Sequence, residues 1–154
     1  MKKGLVIGSG SIGIRHIRSL LKIGCTLAAY RTKKGNISDL PADIKNHVII
    51  FQDEDEAFAW EPEFIVISNP TNLHLEYLLK AIDHNVDVLV EKPIASDMDD
   101  ILVAQEKISN RENRVVVGYN LRFHPIVDTI KDIISSNRYG KVLKADLYVG
   151  HYLP

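Results

Sequence analysis

Leu5-Val6-Ile7-Gly8-Ser9-Gly10-Ser11-Ile12-Gly13 is the stretch that decides the fold. Three apolar residues read as a short strand, and they run directly into glycines at every required position of G-x-G-x-x-G. Each glycine answers a separate demand: a tight turn, close approach of backbone to a pyrophosphate, and close packing of helix on strand. Downstream, Ile17, Leu20, Leu21 and Gly24 recur at helical spacing, so a helix follows the turn. Its first N–H groups and positive dipole end face any anion bound there. A glycine-rich turn with no ligand is the plain alternative. The strand–turn–helix context favours a dinucleotide cradle, with Gly8, Gly10, Ser11, Ile12 and Gly13 as candidate cofactor contacts.

The next strand, residues 26–30, should end in an acid that holds the adenosine ribose hydroxyls. Here the chain continues Tyr30-Arg31-Thr32-Lys33-Lys34, with no carboxylate before Asp39. An aspartate would repel a 2′-phosphate, whereas the planar fork of Arg31 can grip one, and Thr32 with Lys33 or Lys34 could add contacts. A solvated basic loop is the alternative. The missing acid and the arginine together favour NADP over NAD.

Strands and helices keep alternating beyond this point, the pattern of a parallel α/β sheet. Residues 33–46 are polar and give no clear element. Residues 47–51 read as a third strand, 54–60 as a short helix, and 64–68 as a fourth strand, continuously apolar as burial on both faces requires. Leu75, Leu78, Leu79 and Ile82 mark another helix, and residues 86–90 a fifth strand. Ser96 with Asp99 resembles a capping box opening a helix to about residue 108, and residues 115–117 are a sixth strand. The expected fold is α/β, a doubly wound parallel Rossmann sheet over residues 1–122.

Glu91-Lys92-Pro93 closes the fifth strand. A lysine at the end of a buried strand is costly unless it faces a polar cleft. The proline lowers the cost of a cis peptide, which would turn the lysine out of the sheet. The bland alternative is a surface lysine beside a turn proline. Behind a dinucleotide fingerprint, the lysine reads as aimed at a substrate.

Residues 123–154 behave differently. His124-Pro125 introduces a helix with Ile126, Val127, Ile130, Ile133 and Ile134 on one side, residues 137–140 form a turn, and residues 141–148 alternate as a strand. That strand reads as the first of an incomplete second α/β domain, and its unpaired edges call for a partner. The 154 residues carry a net charge of −1, which argues against general nucleic-acid binding. The lone Cys25 reads as a small buried side chain, His16, His47 and His84 have no metal-ligand spacing, and no metal site is expected. With neither a membrane span nor a signal peptide in the sequence, the expected location is cytoplasmic.

Gly8 to Gly13, Glu91-Lys92-Pro93 and Gly118-Tyr119-Asn120-Leu121-Arg122-Phe123-His124-Pro125, taken in order, make the chain resemble the Gfo/Idh/MocA family of oxidoreductases. The resemblance spans almost the whole chain. It implies NAD or NADP as cofactor, a sugar, inositol or nucleotide sugar as substrate, and a second domain on a large open sheet that commonly mediates oligomer contacts. Arg31 then matches the adenosine-phosphate discriminator. Asn69-Pro70-Thr71-Asn72-Leu73-His74 matches the loop touching the cofactor's ribose and nicotinamide side, with Asn69, Thr71 and His74 as its contacts. Helix capping explains Asn69 and Thr71 equally well, and His74 could be an ordinary polar helix residue. Glu91 resembles the glutamate near the nicotinamide ribose. Lys92 resembles the active-site lysine, catalytic and substrate-binding, that would hydrogen-bond the reacting hydroxyl. Asn120, as a cofactor contact, and Arg122, as a substrate contact, resemble residues at the floor of the substrate cleft; a structural ion pair is the alternative for Arg122. The aspartate and histidine or lysine that such second domains carry have no match here, and His151 is a weak substitute near a chain end.

Two functions follow. The chain is the cofactor half of a hydride-transferring dehydrogenase, inactive alone and completed by a C-terminal domain or a homo-oligomer; or it is a stand-alone dinucleotide-binding module, a sensor or scaffold. A methyltransferase-type Rossmann domain would leave Glu91-Lys92-Pro93 unexplained.

Overall fold

Strands that are apolar on both faces need cover on both sides, and the chain supplies it. The computed structural model describes residues 1–31, 40–109, 112, 114–148 and 150. The strands β1 (Lys3–Ile7), β2 (Thr26–Tyr30), β3 (Val48–Phe51), β4 (Phe64–Ile67), β5 (Asp87–Val90) and β6 (Val115–Val117) form one six-stranded sheet in the order β3-β2-β1-β4-β5-β6. Every pairing is parallel, with Leu5 opposite Ala28 on one side and Ile65 on the other. This is the doubly wound order whose direction reverses between β1 and β4, where the carboxyl ends of the strands open a crevice.

Alternation along each strand divides the core. Leu5, Ile7, Ala28, Tyr30, Ile65, Ile67, Val88 and Val90 pack with Phe58 of α3 (Glu54–Ala59), Tyr77, Leu78 and Ile82 of α4 (His74–Asp83) and Ala104 of α5 (Met98–Ser109). Val6, Leu27, Ala29, Val48 and Val66 face the other way, against Ile17 of α1 (Ser11–Lys22) and Ile44 of α2 (Ala42–Lys45). Cys25 is partly buried against this second cluster. Asp53 caps α3 by accepting from the Glu56 N–H at 3.0 Å. In α5 the cap is Asp97, whose Oδ1 accepts from the Asp100 N–H at 2.9 Å, and not the Ser96 expected from sequence. The helix starts two residues beyond Ser96, at Met98, which places Asp97 beside the open N–H groups.

The contacts divide the chain into two units, Met1–Gly118 and Tyr119–Pro154. The second contains a 3₁₀ turn, Asn120–Phe123, and α6 (Pro125–Ser135), capped by the His124 ring, which accepts from the Ile126 N–H at 3.2 Å. Ile126, Ile130, Ile133 and Ile134 of α6 are each about half exposed. Residues 137–140 do form the expected turn, closed by the Gly140 N–H on the Asn137 carbonyl. Residues 141–148 are not a strand: among the described residues nothing pairs with them, and Leu143 and Leu147 are almost fully exposed. Alternation alone does not make a strand; a ladder partner does.

Burial also sets a titration. Tyr77 is buried against Tyr30, with ring centroids 5.9 Å apart. Burial, and then the Tyr30 hydroxyl, push its phenol above the usual range. The folded state therefore keeps the neutral phenol, a contribution complete below pH ~10 and lost as pH rises above it. Urea unfolding between about pH 9 and 11 should show wild type losing about 1.4 kcal/mol per pH unit more than Tyr77→Phe above the midpoint of a free phenol. Coincident slopes would mean that the hydroxyl ionises freely within the fold.

Candidate functional site

At the end of β1, Gly8 has φ +92°, a conformation side chains rarely adopt, and its N–H donates to the Tyr30 carbonyl at 3.1 Å. A Cβ on Gly8 would lie 2.6 Å from the Asn69 nitrogen, so the first turn is pressed against the loop after β4. Ser68 ties the two together: its hydroxyl lies 2.9 Å from the Gly8 carbonyl and 3.2 Å from that of Ile7. A Cβ on Gly13 would overlap the Gly8 carbonyl oxygen. Gly10 differs from both, with ordinary φ of −71° and open space where its Cβ would be. The fold itself requires Gly8 and Gly13, but not Gly10. Gly10 is the N-cap of α1; no side chain caps this end and no acid lies in its first turn, Ser11 to Gly13.

Beside this turn lies a cleft of about 190 Å³ lined by Ile12, Ser68, Asn69, Pro70, Thr71, His74, Glu91 and Lys92. That is below the ~300 Å³ of the smaller drug-sized pockets, so it holds one end of a dinucleotide at most. Five sequence candidates, Ile12, Asn69, Thr71, His74 and Lys92, meet here with a sixth, Glu91. Asn69 is 9% exposed, and neither its side-chain oxygen nor its nitrogen has a hydrogen-bond partner among the described residues. Capping does not account for Asn69 or Thr71, because neither the 3₁₀ turn Thr71–Leu73 nor α4 has a side-chain cap bond. His74 opens α4 and is buried, with Nδ1 2.7 Å from the Pro93 carbonyl oxygen and Nε2 2.9 Å from that of Asn69.

Glu91 continues β5, its N–H donating to the Ile67 carbonyl at 2.9 Å. Its carboxylate lies 2.7 Å from His16 Nε2 on α1, and Gly118 leaves it room, since a Cβ there would approach within 3.2 Å. Lys92 is exposed along the cleft, and the Lys92–Pro93 peptide is cis. The strand end thus delivers a carboxylate and an ammonium side by side to the crevice at the switch point.

Arg31 follows directly after the residue whose carbonyl holds Gly8, and its own N–H donates to the Phe51 carbonyl at 3.1 Å. Thr32, Lys33, Lys34 and His151 lie outside the described residues. Asn120 and Arg122 are exposed residues of the 3₁₀ turn in the second unit. Sequence reasoning missed Ser68 and His16. The signal for His16 was its position one helical turn after Gly13, on the side of α1 that meets the strand ends. Ser68 had only a hydroxyl at the point where the apolar run of β4 stops.

Residues 2–119 match the Gfo/Idh/MocA oxidoreductase family, NAD-binding Rossmann fold. The inositol 2-dehydrogenase of Arthrobacter sp. is 28% identical over 149 residues, covering 90% of this chain and 42% of that protein. Glucose-6-phosphate 3-dehydrogenase of Bacillus subtilis is 25% identical over 150 residues, covering 96% of this chain and 42% of that protein. In the solved structures, the WlbA dehydrogenase of Chromobacterium violaceum, in complex with NADH and UDP-GlcNAcA, superposes with a TM-score of 0.77 at 17% identity. That alignment covers 90% of this chain and 41% of the other, and at such identity the likeness concerns the fold. The chain therefore spans about two-fifths of the length of these relatives. No described helix is long and apolar enough to cross a membrane. With its sheet order, its glycine turn and the match over residues 2–119 in agreement, the chain belongs to the Gfo/Idh/MocA oxidoreductase family and carries its NAD-binding Rossmann fold.

Proposed function

We propose that this chain is the cofactor-binding part of an NAD(P)-dependent dehydrogenase that moves hydride to or from a hydroxyl or carbonyl of a sugar, inositol or nucleotide sugar. The observation carrying this reading is the buried, unpartnered amide of Asn69 in a cleft shared with Glu91 and Lys92. A buried amide without partners is costly, and a ligand rich in hydroxyl and amide groups would relieve that cost. The residues fit a dinucleotide: Gly10 leaves open space over an uncapped helix end, where a pyrophosphate would be held by the N–H groups of Ser11, Ile12 and Gly13. Asn69, Thr71 and Glu91 would hold the nicotinamide end. The nicotinamide supplies the two-electron donor or acceptor. Lys92 would donate a hydrogen bond to the substrate oxygen, orienting it and stabilising the negative charge that develops there.

Arg31 would hold a 2′-phosphate, giving a preference for NADP over NAD. Asn120 and Arg122 would contribute from the second unit, to cofactor and substrate respectively. The acid/base group that the resemblance implies belongs to a second domain, so catalysis calls for a complementing C-terminal domain; the chain would work in such a complex or as a homo-oligomer that includes it, in a cytoplasmic setting.

Calorimetric titration with NADPH and NADH in parallel tests the reading. NADPH should bind at least about tenfold more tightly, a difference of about 1.4 kcal/mol, and Arg31→Ala should bring the two affinities together. Equal binding by wild type would keep the dehydrogenase and discard the 2′-phosphate contact. Binding of neither would remove the cofactor role from the chain.

A further inference from the structure

His74 is 2% exposed, and each of its ring nitrogens faces a backbone carbonyl oxygen: Pro93 at 2.7 Å from Nδ1 and Asn69 at 2.9 Å from Nε2. A carbonyl oxygen only accepts. A neutral imidazole donates from one nitrogen and presents a lone pair at the other, so it can satisfy only one of these contacts. The N–H of the ring donates to one of these carbonyls and the ring packs against the other, both within 2.9 Å. The two carbonyls belong to different loops, one after β4 carrying Asn69 and one after β5 carrying Glu91 and Lys92.

We propose that His74 is a positioning residue whose ring, set between the carbonyls of Asn69 and Pro93, ties the loop after β4 to the loop after β5 so that Asn69 and Lys92 face one cleft. With both nitrogens facing carbonyls, the ring has none left for a cofactor. Its effect on binding therefore passes through the two loops. The charged and titratable groups lining the same cleft are Lys92 and Glu91, and Glu91 is engaged by His16. The link to cofactor binding rests on the function proposed above; the ring's two contacts do not.

The test has two arms. The chain contains six histidines, so ¹⁵N-labelled histidine spectra of the folded chain at pH 7, assigned with His74→Gln, can read the His74 ring directly. A slowly exchanging ring N–H, shielded from water between the two loops, is expected; a ring N–H that exchanges freely with solvent would overturn the proposal. In the second arm, NADPH and NADH are titrated into wild type, His74→Phe and His74→Gln, with circular dichroism monitoring the fold. His74→Phe keeps the ring's bulk without donors and should weaken binding about tenfold or more, while His74→Gln, able to donate to one carbonyl, should recover part of it. Unchanged affinity in a folded His74→Phe chain would overturn the positioning role. Should wild type bind neither dinucleotide, the proposed function fails, and the ring spectrum still judges the clamp. Should His74→Phe not fold, the partial loss in His74→Gln decides the second arm.

Discussion

Gly10→Ala should leave the chain folded and cost it most of the proposed dinucleotide affinity, while Gly13→Ala should unfold more readily at every ligand concentration. The two glycines are three residues apart in one motif, yet the space around them is opposite. A Cβ at Gly10 meets nothing within 4 Å, and the backbone there, φ −71° and ψ −171°, is open to any residue. Replacing glycine by alanine at this N-cap changes stability by no more than about 1 kcal/mol. The methyl would, however, occupy the place where the proposed pyrophosphate would touch backbone, and a loss of about 100-fold in affinity, about 2.7 kcal/mol, is expected. A Cβ at Gly13 overlaps the Gly8 carbonyl, which is held in turn by the Ser68 hydroxyl at 2.9 Å. That oxygen is main chain and bound, so it cannot step aside cheaply. A cost of about 3 kcal/mol is expected, at the upper end for overpacking. At about 2–4 °C per kcal/mol for a chain of this size, the melting temperature should fall by roughly 6–12 °C. Thermal melts with and without NADPH or NADH separate the two effects. If Gly10→Ala binds as wild type does, the turn is a structural element only and the cofactor reading fails at its base.

Features carried by local pattern were legible in the sequence. The run from Leu5 to Gly13, the alternating elements and the parallel sheet needed only apolar periodicity and glycine placement, because each strand is buried on both faces and announces it. The strand expected over residues 141–148 had the right alternation but lacked what periodicity cannot report, a neighbour to pair with. Asp97 took the cap expected of Ser96 for a similar reason: the start of a helix shifts by a residue or two without changing its apolar face. Six residues that line the candidate cleft were legible in the sequence, but their contacts were not. The pairing of His16 with Glu91 spans 75 positions and that of His74 with Pro93 spans 19, and no local pattern encodes either. Glu91 and Lys92 were readable because charge at the end of a buried strand is itself an anomaly. Asn69 was ambiguous from sequence, where capping and ligand binding use the same side chain. The fold removes capping, since neither the 3₁₀ turn nor α4 has a side-chain cap bond, and leaves the amide without a partner among the described residues.

That orphaned amide predicts a substitution whose effects on stability and on binding have opposite signs. Asn69→Leu keeps roughly the same bulk while removing two polar atoms that are buried without hydrogen bonds. Each such group costs about 1–3 kcal/mol when left unsatisfied, so the apolar replacement should stabilise the ligand-free chain by about 1–3 kcal/mol. The Asn69 backbone carbonyl remains in place to accept from His74, so the loop keeps its anchor at 2.9 Å. In the melting temperature the gain is roughly 2–12 °C for a chain of this size. The same change removes the donor and acceptor that a nicotinamide-side group would use. An unmatched polar ligand group against leucine should then reduce NADPH and NADH affinity by tenfold or more, at least about 1.4 kcal/mol. Melting curves of the two chains, alone and at saturating cofactor, should therefore cross: the variant higher when empty, wild type gaining more on addition. A variant less stable than wild type without ligand would show that the amide already has its partners in the folded chain. It would then be a structural residue, and the case for a cofactor at this end of the crevice would fall to Thr71, Glu91 and Lys92.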